Sequence, residues 1–400
     1  MKKRVLMVAF EFPPSNGASV QRVMSVYNAF IEDGWVVDVI TAKECAYSKV
    51  QEISPDLLSS ETTVFRVGSL DASKDLSIKG KYIGGLCLPD SRGLTWIPSA
   101  IISTNNHFKK TPPDLVWSSS PIPSSHYIAN HIAKKHGAKW IADIRDPSSY
   151  LINRESIAPL FSIKAIDDLV KKNSDAVFFA TEGIKQLYLD GTEFDKKCLV
   201  MENGFVKKEN SLMQKESTNS FRDGYFSFFY AGELYDDGRD PAPIFLALSE
   251  IIKEMPGIKV EVVFRGAGEG VKFKSLIREL NLENNIMFKP GVSFEASIKA
   301  MVEADSLILI QDALFNNQIP GKVYEYLATG KPILVKSPEN SQTSEVSSRH
   351  EGVYNCYSKD SIKKSLNDII ESGIKSYPNR NMEQHDRSKH AKKVIVVANT

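Results

Sequence analysis

Residues 319–336 read IPGKVYEYLATGKPILVK. Proline at the first position of an amphipathic stretch and glycine past its end are helix start and stop signals. PILVK (332–336) then supplies a short apolar run that reads as a buried strand. A helix feeding a buried strand is half of a parallel crossover unit. The fold therefore depends on whether the rest of the chain repeats it.

It does. Upstream, DSLILI (305–310), NIMFK (285–289), IKVEVVF (258–264) and YFSFFYA (225–231) read as strands, with helices predicted near 294–303, 271–280 and 242–254. A further helix is predicted near 360–371. The tract KKENSLMQKESTNSFRDG (207–224) interrupts the pattern and reads as a linker. Before it the alternation resumes in RVLMVAF (4–10), VVDVIT (36–41), TVFRV (63–67), DLVWS (114–118), KWIAD (139–143), DAVFFA (175–180) and CLVME (198–202). Val20, Val23, Tyr27, Phe30 and Ile31 form a helical core stripe. We expect an α/β chain of two Rossmann-like domains facing each other across a cleft, 1–205 and 206–382. The C-terminal helix at about 383–397 is placed as a candidate to pack back on the first domain. Residues 71–110 fit neither period. With Lys74, Lys79, Lys81, Tyr82 and Trp96 they read as a solvated excursion with Trp96 packed inward, the alternative being an acceptor or membrane contact.

The 400 residues carry fifty basic and forty-nine acidic side chains, a formal charge of +1 that argues against a nucleic-acid partner. Cys45, Cys87, Cys198 and Cys356 stand far apart and read as reduced thiols. The basic start is followed only by the short apolar run Val5–Phe10, and no stretch approaches the roughly eighteen apolar residues of a membrane span. A cytoplasmic protein is expected, with a peripheral contact on the inner face of the membrane left open.

Five stretches can carry chemistry, one of them WSSSPIPSSH (117–126), which follows a strand of the first domain. On a helical wheel of 319–336, Val323, Tyr326 and Leu327 share the buried face, while Gly321, Glu325 and Ala328 share the other, with Lys322 beside them. Ile319 cannot cap, so the first-turn N–H groups and Lys322 offer an anion site, and Glu325 one turn on can accept hydrogen bonds from a ribose diol. A water-capped surface helix is the equal alternative. YAGELYDDGRDP (230–241) leaves a strand through Gly232, Gly238 and Arg239, and Arg239 is a candidate phosphate clamp. Asp236, Asp237 and Asp240 there read as turn residues. FEFPPSNGASVQRV (10–23) places Gly17 before a helix whose first turn holds Arg22. WIADIRDPSSY (140–150) sets Asp143, Arg145 and Asp146 at a strand end, where a structural ion pair is the commoner outcome. FRGAGEG (264–270) runs GxGxG rather than GxGxxG, a weak sign of NAD. No metal site is expected: there is no HExxH and no Asp-x-Asp pair, and the histidines at 126, 131 and 136 scatter around a helix.

With PPSNG, SSSPIPS, WIADIRDP, MENGF, YAGELYDDGRDP and IPGKVYEYLATGKPIL in place, the chain resembles the GT-B-fold glycosyltransferases of family GT4 over essentially its whole length. These are retaining enzymes that use nucleotide-sugar donors. The resemblance implies ribose binding by Glu325 and donor-base contacts around Ser293. The donor diphosphate would fall to Gly321, Lys322 and Arg239, with Gly17 and Gly232 lining the donor site. A glycan or lipid-linked acceptor would lie near Arg145 and Asp146. It also implies a role in bacterial surface polysaccharide synthesis and no metal cofactor. Three positions depart from the family pattern. Asn317 stands where the family has a sugar-contacting glutamate, Glu233 where many relatives have arginine, and Ser148 where tryptophan often follows RDP. The first two leave a non-catalytic nucleotide-sugar-binding partner subunit as the leading alternative. A GT-B epimerase comes next and an NAD enzyme last.

Overall fold

The computed structural model describes residues 2–16, 19–78, 81, 83–147, 157–205, 220–234 and 237–400, except the side chains of 55 and 157–161. Gly17, Lys79, Tyr82, Ser148, Asp236 and most of the 207–224 tract lie outside the described residues.

The chain divides into two units, one of Met1–Glu202 with Arg387–Thr400, the other of Asn203–Asp386. The first holds a seven-stranded sheet of β1 (Arg4–Val8), β2 (Val36–Ala42), β3 (Thr63–Val67), β4 (Leu115–Ser119), β5 (Lys139–Ile144), β6 (Ala176–Phe179) and β7 (Cys198–Val200). Its order is β3-β2-β1-β4-β5-β6-β7 and every pairing is parallel. Strand alternation sends Val5 and Met7 to one face and Leu6 and Val8 to the other, each face closing over its own core. The helix Val20–Glu32 covers the Val5 face, and the C-terminal helix Arg387–Asn399 adds Ala391, Val394, Ile395 and Ala398 to that core.

The second unit repeats the design with six parallel strands: β8 (Phe226–Ala231), β9 (Val260–Arg265), β10 (Ile286–Lys289), β11 (Ser306–Ile310), β12 (Ile333–Lys336) and β13 (Val353–Cys356). They run β10-β9-β8-β11-β12-β13. In both sheets the order reverses beside the first strand, β1 or β8. That reversal opens a crevice at the strands' carboxyl ends, where proteins of this architecture bind ligands.

Two elements differ from the sequence expectation. The tract 71–110 ends in a helix, Gly93–Lys110, that buries Trp96, Ala100, Thr104 and Phe108 at every fourth residue. Its glycine start, internal Pro98 and Asn105–Asn106 pair mask the periodicity. Trp96 does pack inward, edge-on to Phe10 at 5.1 Å. Strand β13, with sequence VYNC, has no apolar run because it is a half-buried edge strand.

Candidate functional site

At the end of β8 the chain turns through Gly232 with φ +111°, a region that side-chain-bearing residues rarely adopt. The space beside it is taken as well: a Cβ on Gly232 would lie 2.9 Å from the Lys322 ammonium. Lys322 opens the helix Lys322–Ala328. Its Nζ donates to the Ala231 carbonyl at 2.6 Å and sits 4.3 Å over the Tyr230 ring. One turn later the Tyr326 hydroxyl accepts from the Ala231 N–H at 2.9 Å. Two side chains four residues apart thus take both backbone groups of the last residue of β8. Burial, and then the nearby Arg239 charge, pull the Lys322 pKa down to about 7, against the opposing pull of Glu325 and Glu233.

The neighbouring strand ends are also bare. Gly266 follows β9 with φ +74°, and a Cβ on it would meet Gly291 Cα at 3.6 Å and Gly232 Cα at 3.9 Å. The GxGxG run therefore contributes backbone to a floor formed by β8, β9 and β10. The sequence reading weighed that run only as a dinucleotide fingerprint and missed this use.

Arg239 stands on a stitched loop. Its Nη1 donates to the Glu233 carbonyl at 3.1 Å, and the guanidinium carbon lies 5.8 Å from the centroid of the Phe315 ring. Phe315 fills the space a Cβ on Gly238 would occupy, 2.3 Å from it, and Gly238 has φ +84°. Asp312, just past β11, accepts from the Asp240 N–H at 2.8 Å and donates its own N–H to the Gly238 carbonyl at 2.9 Å. Its carboxylate also pairs with Lys336, the last residue of β12 and 3% exposed. Sequence reasoning missed Asp312, Phe315 and Lys336. A lysine closing an apolar strand was the available signal.

The remaining predicted residues divide. Glu325 is half-buried on the same helix as Lys322, close enough to act on its charge. Asn317 lies on the loop between β11 and that helix. The loop is pinned on either side, Asn316 O by the Gln342 N–H at 2.8 Å and Gln318 O by the Thr343 hydroxyl at 3.0 Å. Ser293 is exposed and caps the helix Phe294–Glu303, accepting from the Ala296 N–H at 3.2 Å. The first turn of Lys322–Ala328 is less vacant than expected, because Pro320 and Gly321 carbonyls already accept from the Val323 and Tyr324 N–H groups. The helix also starts two residues later than Pro320 implied.

In the first unit the ion pair expected near Arg145 is real, but its cation is Arg22. Arg22 Nη2 lies 2.6 Å from Asp143 Oδ1, both residues are buried, and Ser119 donates to Oδ2 at 2.8 Å. Asp143 shares a sheet face with Ile141, the face the helix Val20–Glu32 covers, which brings Arg22 rather than Arg145 to it. The Arg145 N–H donates to Ser120 Oγ at 2.8 Å. Its side-chain Nε and Nη1 are buried without a hydrogen-bond partner among the described residues. Burial lowers the Arg145 pKa, with Asp146 opposing, and Asp146 itself is half-buried. His126 is a core residue, 2.9 Å from Ser118 Oγ and held neutral by burial with a pKa of about 4. Among the described residues no cluster of three or more His, Cys, Asp or Glu could hold a metal ion.

The second unit thus presents at one strand-end edge a bare three-strand floor, two cations and, one helical turn on, a carboxylate. Such a set can hold a polyanion against backbone while the carboxylate accepts from hydroxyls.

No family model and no curated protein matches this chain in sequence. Solved structures do match it in fold. Sucrose-phosphate synthase from Thermosynechococcus elongatus superposes with TM-score 0.67 at 13% identity, covering 100% of this chain and 98% of that one. HepE from Anabaena, solved with UDP and glucose, gives 0.65 at 12%, covering 100% and 99%. The α,α-trehalose 6-phosphate synthase from Burkholderia multivorans gives 0.65 at 14%, covering 100% and 97%. At such identities the likeness shows the fold, which is GT-B.

Proposed function

We propose that this chain is a glycosyltransferase that binds a nucleoside-diphosphate sugar on its second unit and passes the sugar to an acceptor hydroxyl. The observation that carries the reading is the meeting of Lys322 with Gly232 at the end of β8, flanked by Arg239. Two cations beside bare strand-end backbone match the charge that grows on a departing diphosphate. Fold neighbours with UDP or with UDP and glucose bound support a nucleotide-sugar donor. In this reading Lys322 and Arg239 face the diphosphate, so that protein charge takes the part a metal plays elsewhere. Glu325 accepts from the ribose hydroxyls, Asn317 faces the sugar, and Arg145 and Asp146 position the acceptor. Retention of configuration and a role in surface polysaccharide synthesis rest on the family resemblance.

The test is turnover. The full chain is incubated with UDP-, GDP- and ADP-sugars, and release of the nucleoside diphosphate is followed with and without sugar acceptors. Release that an acceptor accelerates is the expected result. Interconversion of the nucleotide sugar without acceptor would point instead to an epimerase, a reading that one fold neighbour, a putative UDP-N-acetylglucosamine 2-epimerase, keeps in view. Tight binding with no turnover would leave a binding subunit.

A further inference from the structure

The helix Ser124–His136 packs on the face of the first sheet that carries Ile144, and its first turn sinks His126 into that core, 4% exposed. Ser118 of β4 sits between two rings. The Trp140 Nε1–H donates to Ser118 Oγ at 2.8 Å, and the same oxygen lies 2.9 Å from His126 Nδ1. An indole nitrogen only donates, so the Ser118 oxygen accepts from Trp140 and its own proton goes to His126. Nδ1 is then the accepting nitrogen of a neutral imidazole, which burial maintains with a pKa of about 4. The ring proton therefore sits on Nε2.

That tautomer leaves a buried donor to be met. Among the described residues no hydrogen bond reaches His126 Nε2, and buried N–H groups are rarely left unmet. The ring lines a cavity of about 10 Å³ whose other polar members are Ser120, Asp146, Asp167 and Tyr188. This is about the room one water needs. Tyr188 already donates to Asp167 Oδ1 at 3.2 Å, and Ser120 Oγ already accepts from the Arg145 N–H at 2.8 Å. Asp146 differs from the enclosed His126 in being only half-buried, so it joins the cavity to the outside.

We propose that His126 is a positioning residue for Asp146: its Nε2–H donates to one water in this cavity, and that water donates to the Asp146 carboxylate. The chain Trp140, Ser118, His126, water and Asp146 then runs donor to acceptor without a break and orients the carboxylate from within the core. Its part in catalysis rests on the transferase reading, in which Asp146 positions the acceptor. The hydrogen-bonded chain itself does not.

Nuclear magnetic resonance of the full chain with ¹⁵N-labelled histidine tests the chain directly. Of the seven histidines, His126 is the one whose signal disappears in His126→Asn. Its proton is expected on Nε2 at pH 7, with a resonance that moves in Asp146→Asn and stays in place in Asp167→Asn. A proton on Nδ1, or a resonance that Asp146→Asn leaves unmoved, would overturn the proposal whether or not the chain turns over. Kinetics reads the consequence. His126→Asn keeps an acceptor for Ser118 but places no donor at the Nε2 position, whereas the longer amide of His126→Gln reaches it. The value of kcat should fall about tenfold in His126→Asn at unchanged donor KM and return to within about threefold of wild type in His126→Gln. Equal kcat in wild type and His126→Asn would overturn the positioning role. The expected resonance shifts in a chain without any turnover would keep the hydrogen-bonded chain and strike only the transferase reading.

Discussion

The Lys322 ammonium rests on the Ala231 carbonyl oxygen, 2.6 Å away, across 91 residues of sequence. The bond parks a cation at the end of a central strand, and burial there draws its pKa to about 7 from the ordinary 10.5. Between those values the unfolded chain holds a proton that the folded chain does not. The contribution of Lys322 to stability therefore rises with pH from about 7 toward 10.5 and is at its lowest below 7. A bound diphosphate reverses the preference by favouring the ammonium. Donor affinity should then fall as pH rises above about 7, by up to tenfold per unit, with proton uptake on binding. Calorimetry with UDP-glucose in buffers of different ionisation enthalpy reads both. Lys322→Met should remove the pH dependence and weaken binding about tenfold or more.

Gly232→Ala meets two obstacles, a φ of +111° and a Cβ 2.9 Å from the Lys322 ammonium. Gly257, at φ +96° with open space around it, meets only the first. Each change should cost about 1–3 kcal/mol of stability in urea titrations. Only Gly232→Ala should also lower nucleotide affinity. Equal affinities in the two variants would remove the link between Gly232 and the ligand.

Asp312 and Lys336 form a nearly buried pair that also holds the Asp240 N–H, and so fixes the loop bearing Arg239. Removing one partner strands a buried charge, at about 3–5 kcal/mol. Lys336→Met and Asp312→Asn should each destabilise the second unit, and the double variant should cost less than the sum of the two. If the pair positions Arg239, Asp312→Ala should weaken donor binding more than Asp312→Asn, because asparagine can still accept from Asp240.

Arg22→Met tests the buried pair of the first unit, with an expected loss of about 3–5 kcal/mol in chemical denaturation. Nucleotide affinity should be unchanged, since Lys322, Arg239, Glu325 and Asn317 all belong to the second unit. Arg145→Met, lacking that partner, should cost less stability and alter acceptor kinetics instead.

The strand runs of both sheets were legible because buried parallel strands are short, apolar and β-branched, as RVLMV and SLILI are. Strand β13 and the helix Gly93–Lys110 were not, since one is a polar edge and the other carries proline and asparagines between buried residues that fall at every fourth position. Within the candidate site, the composition of the helix and of the glycine loops was visible. The partners were not. Lys322 reads as part of an anion site with no sign of the Ala231 carbonyl that holds it, and Asp143 gives no sign that its partner is Arg22 until the helix Val20–Glu32 covers that face. Contacts across a hundred residues are set by sheet order, which local periodicity does not encode.

Nucleotide binding is the most direct test of the central claim that the end of β8 holds a diphosphate. Calorimetric titration of the full chain and of Lys322→Met with UDP, GDP, ADP, CMP and NAD, without and then with magnesium, measures it. Strong binding of one nucleoside diphosphate by wild type without metal, lost in Lys322→Met, is the predicted result. Binding of NAD alone, or equal diphosphate binding by both proteins, would contradict it.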